Sequence, residues 1–152
     1  MRARDLAVEY PSVTLDSDAL DAARLLAERR LPGVMVIDDD GKPYAILPAS
    51  RLVKLLVPDY VLEDPALAAV VDEKHADRLC RALDGRPVRD CLPRERQVPP
   101  VSDPDDTALE VAALMARERS PLVAVVEKGK AGGRLLGVIT AAHLLEQLLG
   151  VA

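Results

Sequence analysis

The sequence predicts an α+β fold made of two tandem β-α-β-β-α repeats, and three observations predict it. The first is an internal repeat. "ALDAARLLAERRLPGVMVID" from Ala19 and "ALEVAALMARERSPLVAVVE" from Ala108 align without a gap at an offset of 89 residues. Ala19/Ala108, Leu20/Leu109, Ala23/Ala112, Leu25/Leu114, Ala27/Ala116, Arg30/Arg119, Pro32/Pro121, Val34/Val123 and Val36/Val125 are identical pairs. The second is that the apolar period inside each copy switches from helical to strand-like. The third is composition: 49% of the 152 residues are hydrophobic, enough for a packed core in one domain or two small ones.

Each unit begins with a short extended piece, Val13 to Leu15 in the first and Val98 to Val101 in the second. A helix follows, apolar at Leu20, Ala23 and Ala27 and again at Leu109, Ala112 and Ala116. "TALE" places Thr107 and Glu110 as a capping box, and "DALD" gives a weaker version with Asp18 and the shorter Asp21. Pro32 and Pro121 are expected to end these helices, because an internal proline loses a backbone hydrogen bond and clashes with the preceding turn. A β-rich run comes next, "GVMVID" or "LVAVVE", then a turn, "DDGKP" or "KGKAGGR". The second strand, "YAIL" or "LLGVI", leads directly into the last helix. The repeat extends to match "YAILPASRLVKLL" with "LGVITAAHLLEQL", and "RDL" at Arg4 echoes "RDCL" at Arg89. This divides the chain into a first unit (1–56), a connector (57–85) and a second unit (86–152). In the connector, Leu67, Val70, Val71, Leu79 and Leu83 fit one face of an extra helix, with Asp64 as its cap and Pro65 at its first position. His75 falls among charges and reads as a solvated residue.

The composition excludes several functions. A net charge of −5 argues against a general nucleic-acid binder. No stretch is apolar enough to span a bilayer, and "MRARDLAVEYPS" lacks the apolar segment of a secretory signal, so a cytoplasmic protein with no membrane insertion is expected. Cys80 and Cys91 have no metal-ligand spacing and read as reduced thiols. No Ser/Cys-His-Asp set, phosphate-binding glycine loop or metal cluster is apparent, so no catalysis is expected. With no Phe or Trp and only Tyr10, Tyr44 and Tyr60 as aromatics, a flat ligand ring would meet few aromatic faces.

The duplicated order, the "RDL"/"RDCL" starts, the strands ending at Asp38 and Glu127 and the "GVIT" strand end at Gly137 to Thr140 together resemble a CBS-domain pair, or Bateman module. The resemblance covers residues 2–56 and 86–149. It implies two units packed about a pseudo-two-fold axis, with clefts between them that hold AMP, ADP, ATP or S-adenosylmethionine in many members. It also implies a homodimer and a regulatory role toward a partner protein. Pro32-Gly33 and Pro121-Leu122 would lie along the cleft walls, and Thr14 would contact the ligand from the first extended piece.

Nucleotide-binding members carry Gly-x-x-Thr/Ser-x-x-Asp where a strand meets the last helix. Here the second unit has Gly137, Thr140 and His143, and the first has Ala45, Pro48 and Arg51. Neither has the acid. An ionised carboxylate only accepts hydrogen bonds, a neutral imidazole accepts one, and an arginine accepts none. Ribose binding should weaken, whereas Arg51, Thr140 and a helix start suit phosphate or another anion. One expected site uses Thr140, His143, Pro32 and Gly33, and another uses Arg51, Pro121 and Leu122. Arg86, Arg89, Arg94 and Arg96 read as a solvated linker, with an electrostatic rim for a polyphosphate or an acidic partner surface as the alternative. The alternative is a ligand-blind interaction module that docks through Leu144, Leu145, Leu148 and Leu149.

Overall fold

The computed structural model describes residues 1–70, 80–129 and 132–150. A short helix α1 (Ala3–Leu6) precedes β1 (Ser12–Thr14), α2 (Ala19–Arg29), β2 (Gly33–Ile37), β3 (Pro43–Pro48) and α3 (Ala49–Leu56). The second unit repeats the order as β4 (Val101–Ser102), α5 (Ala108–Glu118), β5 (Leu122–Gly129), β6 (Gly132–Thr140) and α6 (Ala141–Leu149). Each forms a three-stranded sheet, with its first strand parallel and its last antiparallel to the middle one. Even the register shifts correspond, at Val36/Ile37 and at Val125/Val126.

Local chemistry fixes the helix starts. Thr107 accepts from the Glu110 amide at 3.2 Å, and Glu110 accepts from the Thr107 amide at 3.3 Å, closing the capping box. Asp18 caps α2 by accepting from the Leu20 amide at 3.2 Å, not from the Asp21 amide, so the expected Asp18–Asp21 box does not close. The helix ends differ from expectation. α2 and α5 stop at Arg30 and Arg119, which are left-handed at φ 53° and 51°, and the prolines follow two residues later. The left-handed turn exposes the last carbonyls to the cap amides, at a cost of roughly 1–2 kcal/mol for a residue with a Cβ. "DDDG" is a turn: Asp38 accepts from the Asp40 and Lys42 amides, both at 2.9 Å, and Gly41 has φ 78°.

The core has three parts. One lies under α2 and α3, around Leu26, Val34, Leu47 and Leu52. The second lies under α5 and α6, around Val111, Val123, Ile139 and Leu144. The third joins the two sheets face to face, where Met35 meets Leu122, Ala124 and Val138.

Each body is clasped by a turn, and the two clasps are crossed. α1 buries Ala3 and Leu6 in the second unit's core, while the turn Val88–Cys91 buries Val88 and Cys91 in the first unit's. The clasps match bond for bond. Ala3 N donates to Asp106 O and Val88 N to Ser17 O; Arg4 N donates to Pro104 O and Arg89 N to Leu15 O. Arg4 pairs with Asp105, and Arg89 pairs with Asp16. This correspondence is the pseudo-two-fold symmetry of the pair.

The connector contains α4 (Asp59–Glu63) and single 3-10 turns at Pro65–Val70 and Cys80–Leu83. Asp64 caps the first turn by accepting from the Ala66 amide at 3.3 Å. The expected apolar face divides: Leu67 is exposed, whereas Leu83 is buried in the first unit's core. Val71, His75 and Leu79 lie outside the described residues.

Candidate functional site

From Ala45 on, strand β3 alternates: Ala45 and Leu47 point into the first core, which leaves Ile46 and Pro48 on the other face, and Tyr44, at the register shift, packs against the first core. α3 starts at once, so Arg51 stands one turn beyond Pro48. Across from them runs the strap that follows the Val88–Cys91 clasp. Together they enclose a cavity of about 270 Å³, whose lining includes Tyr44, Pro48, Arg51, Arg89, Arg94 and Arg96. Two bonds tie strap to body: Arg51 Nε donates to the Cys91 carbonyl at 3.0 Å, and Arg96 Nε donates to the Tyr44 carbonyl at 3.1 Å. The Arg96 guanidinium also lies over the Tyr44 ring, 4.0 Å from its centre.

Among the described residues no carboxylate lines this cavity. Arg89 is neutralised by Asp16, whereas Arg51, Arg94 and Arg96 form no ion pair with any described residue. Burial raises the Cys91 thiol above its ordinary range, so this residue behind the cavity is a neutral packing group at neutral pH. A second cavity of about 460 Å³ adjoins the first through Ile46, Pro48 and Gln97 and continues to Pro100, Ser120 and Pro121.

The predicted site residues fall as follows. Arg51 lines the first cavity and Pro121 the second, so both border one continuous cleft. Leu122 is wholly buried in the inter-sheet core. Thr140 and Pro121 are neighbours, since Leu122 pairs with Thr140 and Ala141 N donates to Pro121 O at 3.0 Å. In the same way Pro32 O accepts from Ala49 N at 3.0 Å and Gly33 pairs with Pro48. Each proline therefore sits beside the strand-helix junction of its own unit. Thr140 caps α6, its hydroxyl accepting from the His143 amide at 3.1 Å. His143 Nδ1 faces Glu146 at 3.6 Å. Thr14 is exposed, with its hydroxyl 3.1 Å from that of Ser17, and its neighbour Leu15 lines the cavity instead. Thr14, Pro32, Gly33, Thr140 and His143 line neither of these two cavities. Tyr44 was read in the sequence only as one of three aromatics, and no local signal places it in the cavity, because period two breaks at the register shift where it sits. Arg86 uses its carbonyl to accept from Ala19 N and does not line the cavity.

At the corresponding place in the second unit, the N-terminal segment closes onto the strand. Val8 and Val138 exchange both backbone hydrogen bonds, each 3.0 Å. Gly137 makes this possible, because a Cβ there would lie 2.8 Å from the Val8 carbonyl oxygen. The first unit has Ala45 at that position, and its strap stands away from the strand.

Among the described residues no group of His, Cys, Asp and Glu could hold a metal ion, and no helix is long and apolar enough to cross a membrane. Fold and site therefore define a duplicated α+β module with a basic inter-element cleft. The CBS-domain family model matches residues 3–58 and 92–150, and the chain belongs to that family as a tandem pair. It is similar to a CBS-domain-containing protein of unknown function from Kribbella flavida, with 50% identity, a TM-score of 0.85, and coverage of 98% of this chain and 99% of that one. An uncharacterised protein of Methanocaldococcus jannaschii is 30% identical over 146 residues, 88% of this chain and 83% of the relative. CBSX2 from Arabidopsis thaliana shares the fold at 19% identity and a TM-score of 0.73, over 99% of this chain and 95% of that one. A further structure of CBSX2, in complex with AMP, is 19% identical with a TM-score of 0.66, over 99% of this chain and 97% of that one.

Proposed function

We propose that this CBS pair is a regulatory, non-catalytic sensor that binds an adenine nucleotide or related anionic ligand in the Arg51 cleft and thereby regulates a partner protein. The observation that carries this reading is the cavity itself, which gathers four arginines and, among the described residues, no carboxylate, in a chain of net charge −5. Guanidinium groups match phosphate oxygens with paired, charge-assisted hydrogen bonds. The adjoining cavity offers room for the rest of a nucleotide. CBSX2 in complex with AMP is a precedent within the same fold. S-adenosylmethionine carries a sulfonium cation and suits so basic a cavity less well than AMP, ADP or ATP. A ligand that engages Arg94 and Arg96 would fix the strap that leads into the second unit, and this gives occupancy a route to a partner.

The module is read as a cytoplasmic homodimer. Leu109, Leu145, Leu148 and Leu149 are exposed on α5 and α6, the largest apolar residues that the second unit leaves uncovered there. Leu144, expected in the same stripe, is buried in the core. The test is thermal denaturation of the whole chain with AMP, ADP, ATP, S-adenosylmethionine and adenosine. A ligand that binds only the folded state adds about 2.7 kcal/mol at one hundred times its Kd. A clear rise with a phosphorylated adenosine is expected, and a flat melting temperature with all of them at millimolar concentration refutes ligand sensing.

A second reading, a ligand-blind docking module, is favoured by Thr140, whose hydroxyl is used as a helix cap, together with the exposed leucines. Light scattering separates its central claim: a strict monomer at tens of micromolar removes docking between copies.

A further inference from the structure

We infer that the cleft recognises a chain of phosphates rather than a nucleoside, so that its ligand is a compact polyphosphate or the triphosphate portion of a larger molecule, bound once per chain. The inference rests on the reading of the Arg51 cleft as an anion site and specifies what that anion is.

Charge is the first argument. Arg51, Arg94 and Arg96 border one cavity, and none forms an ion pair with a described residue. A single phosphate would leave part of this positive charge uncompensated, whereas linked phosphates place several charges within the same small volume. The arginines gather in the smaller part of the cleft, about 270 Å³, beside the adjoining 460 Å³.

The second argument is the lack of nucleoside contacts. Among the described residues Tyr44 is the only aromatic in the lining of either cavity, and Arg96 lies over one face of its ring at 4.0 Å. A base would have to displace Arg96 to stack on that face. Ribose hydroxyls donate as well as accept, and among the described residues no carboxylate lines the arginine cavity to receive them; Glu118 lines the adjoining cavity instead.

The third argument concerns number. The place in the second unit that corresponds to the cleft is occupied by backbone, with Val8 bonded twice to Val138 at 3.0 Å above Gly137. The matching clasp arginine, Arg4, is paired with Asp105. Arg51 is matched there by His143, whose ring faces Glu146. Among the described residues, backbone pairing stands there in place of the arginine cavity, and the matching Arg4 is paired.

Isothermal titration of the whole chain tests this, with tripolyphosphate, pyrophosphate, orthophosphate, ATP, AMP and adenosine as the probes. Affinity should rise with phosphate number, ATP should bind about as tightly as tripolyphosphate, adenosine should be silent, and the stoichiometry should be one per chain. Arg94→Ala and Arg96→Ala change exposed strap residues, and circular dichroism checks their fold. Each should weaken tripolyphosphate roughly 10- to 100-fold, the worth of one or two charge-assisted hydrogen bonds. Arg29→Ala, outside both cavities, should change nothing. Adenosine binding, or AMP tighter than tripolyphosphate, overturns the polyphosphate inference and leaves the nucleotide reading standing. Two sites per chain overturns the single site, and phosphate binding unaffected by either strap variant overturns its location. Silence toward every probe defeats this inference and the proposed function together.

Discussion

Gly137→Ala is the sharpest test of how the clasp meets the second sheet. The added Cβ would lie 2.8 Å from the Val8 carbonyl oxygen, 3.1 Å from Ala7 Cβ and 3.3 Å from the Val8 carbonyl carbon. The nearest of these atoms is backbone, so a side-chain rotation cannot relieve the contact. Either the N-terminal segment shifts away from β6 or the strand does. Overpacking of this kind costs about 1–3 kcal/mol. If Val8 lifts off, the two 3.0 Å bonds with Val138 are lost as well. Those bonds contribute about 0.5–1.5 kcal/mol each when water replaces the partner. Relief of the clash and loss of the bonds are alternatives in part, so the expected cost is about 2–4 kcal/mol and not their full sum. Chains of this size lose about 2–4 °C of Tm per kcal/mol. Urea denaturation gives the free energy, and hydrogen exchange at the Val8 and Val138 amides locates it. The outcome that refutes the argument is a variant within about 0.5 kcal/mol of the parent, the spread of ordinary surface substitutions, with the Val138 amide still protected.

Met35→Ala, at the centre of the inter-sheet core where the side chain is wholly buried, should destabilise by about 2–5 kcal/mol in the same urea assay. A cost below about 1 kcal/mol would mean that the sheets repack without it. Arg30→Gly relieves a left-handed residue at φ 53° and should stabilise by about 1 kcal/mol, read as a rise in urea midpoint. A fall in midpoint would show that the arginine side chain contributes more than its backbone costs. Tyr10 is pushed up by burial, and its hydroxyl donates to the Gly33 carbonyl at 2.5 Å. As pH rises past the ordinary tyrosine value of about 10, the unfolded chain releases this proton before the folded one, so stability falls with pH. Tyr10→Phe should flatten that alkaline slope, and an unchanged slope would remove Tyr10 as its source.

The sequence by itself determined the repeat and its β-α-β-β-α order, whereas some element ends differ: the extended piece expected at Val98 to Val101 is the strand Val101–Ser102, and β5 and β6 run into the expected "KGKAGGR" turn as far as Gly129 and from Gly132. The signals for these features are local. The Thr107–Glu110 box, the Asp38 turn and the change of apolar period each involve residues within a few positions of one another, and each formed as expected. Where local signals competed, the reading was less exact. The helices stop at Arg30 and Arg119 because a left-handed cap closes the last turn before the proline is reached. The substitution at Arg51 was legible as an anion-friendly change, but its partners were not. Tyr44 and Arg96 are 52 residues apart, and Arg51 and Cys91 are 40 apart.

Only the tertiary structure decided which clasp holds which body, which cleft is open and where Leu144 faces. α1 crosses to the second unit because Ala3 and Leu6 complete that core, while Val88 and Cys91 complete the first. Once crossed, the N-terminal segment lies against Gly137 and bonds tightly to β6, whereas the strap beside Ala45 stands off and leaves the arginine cavity. Two copies of one pattern thus give one closed cleft and one open one. Periodicity and capping depend on near neighbours in the chain, but a cleft depends on which distant segments come to lie beside each other.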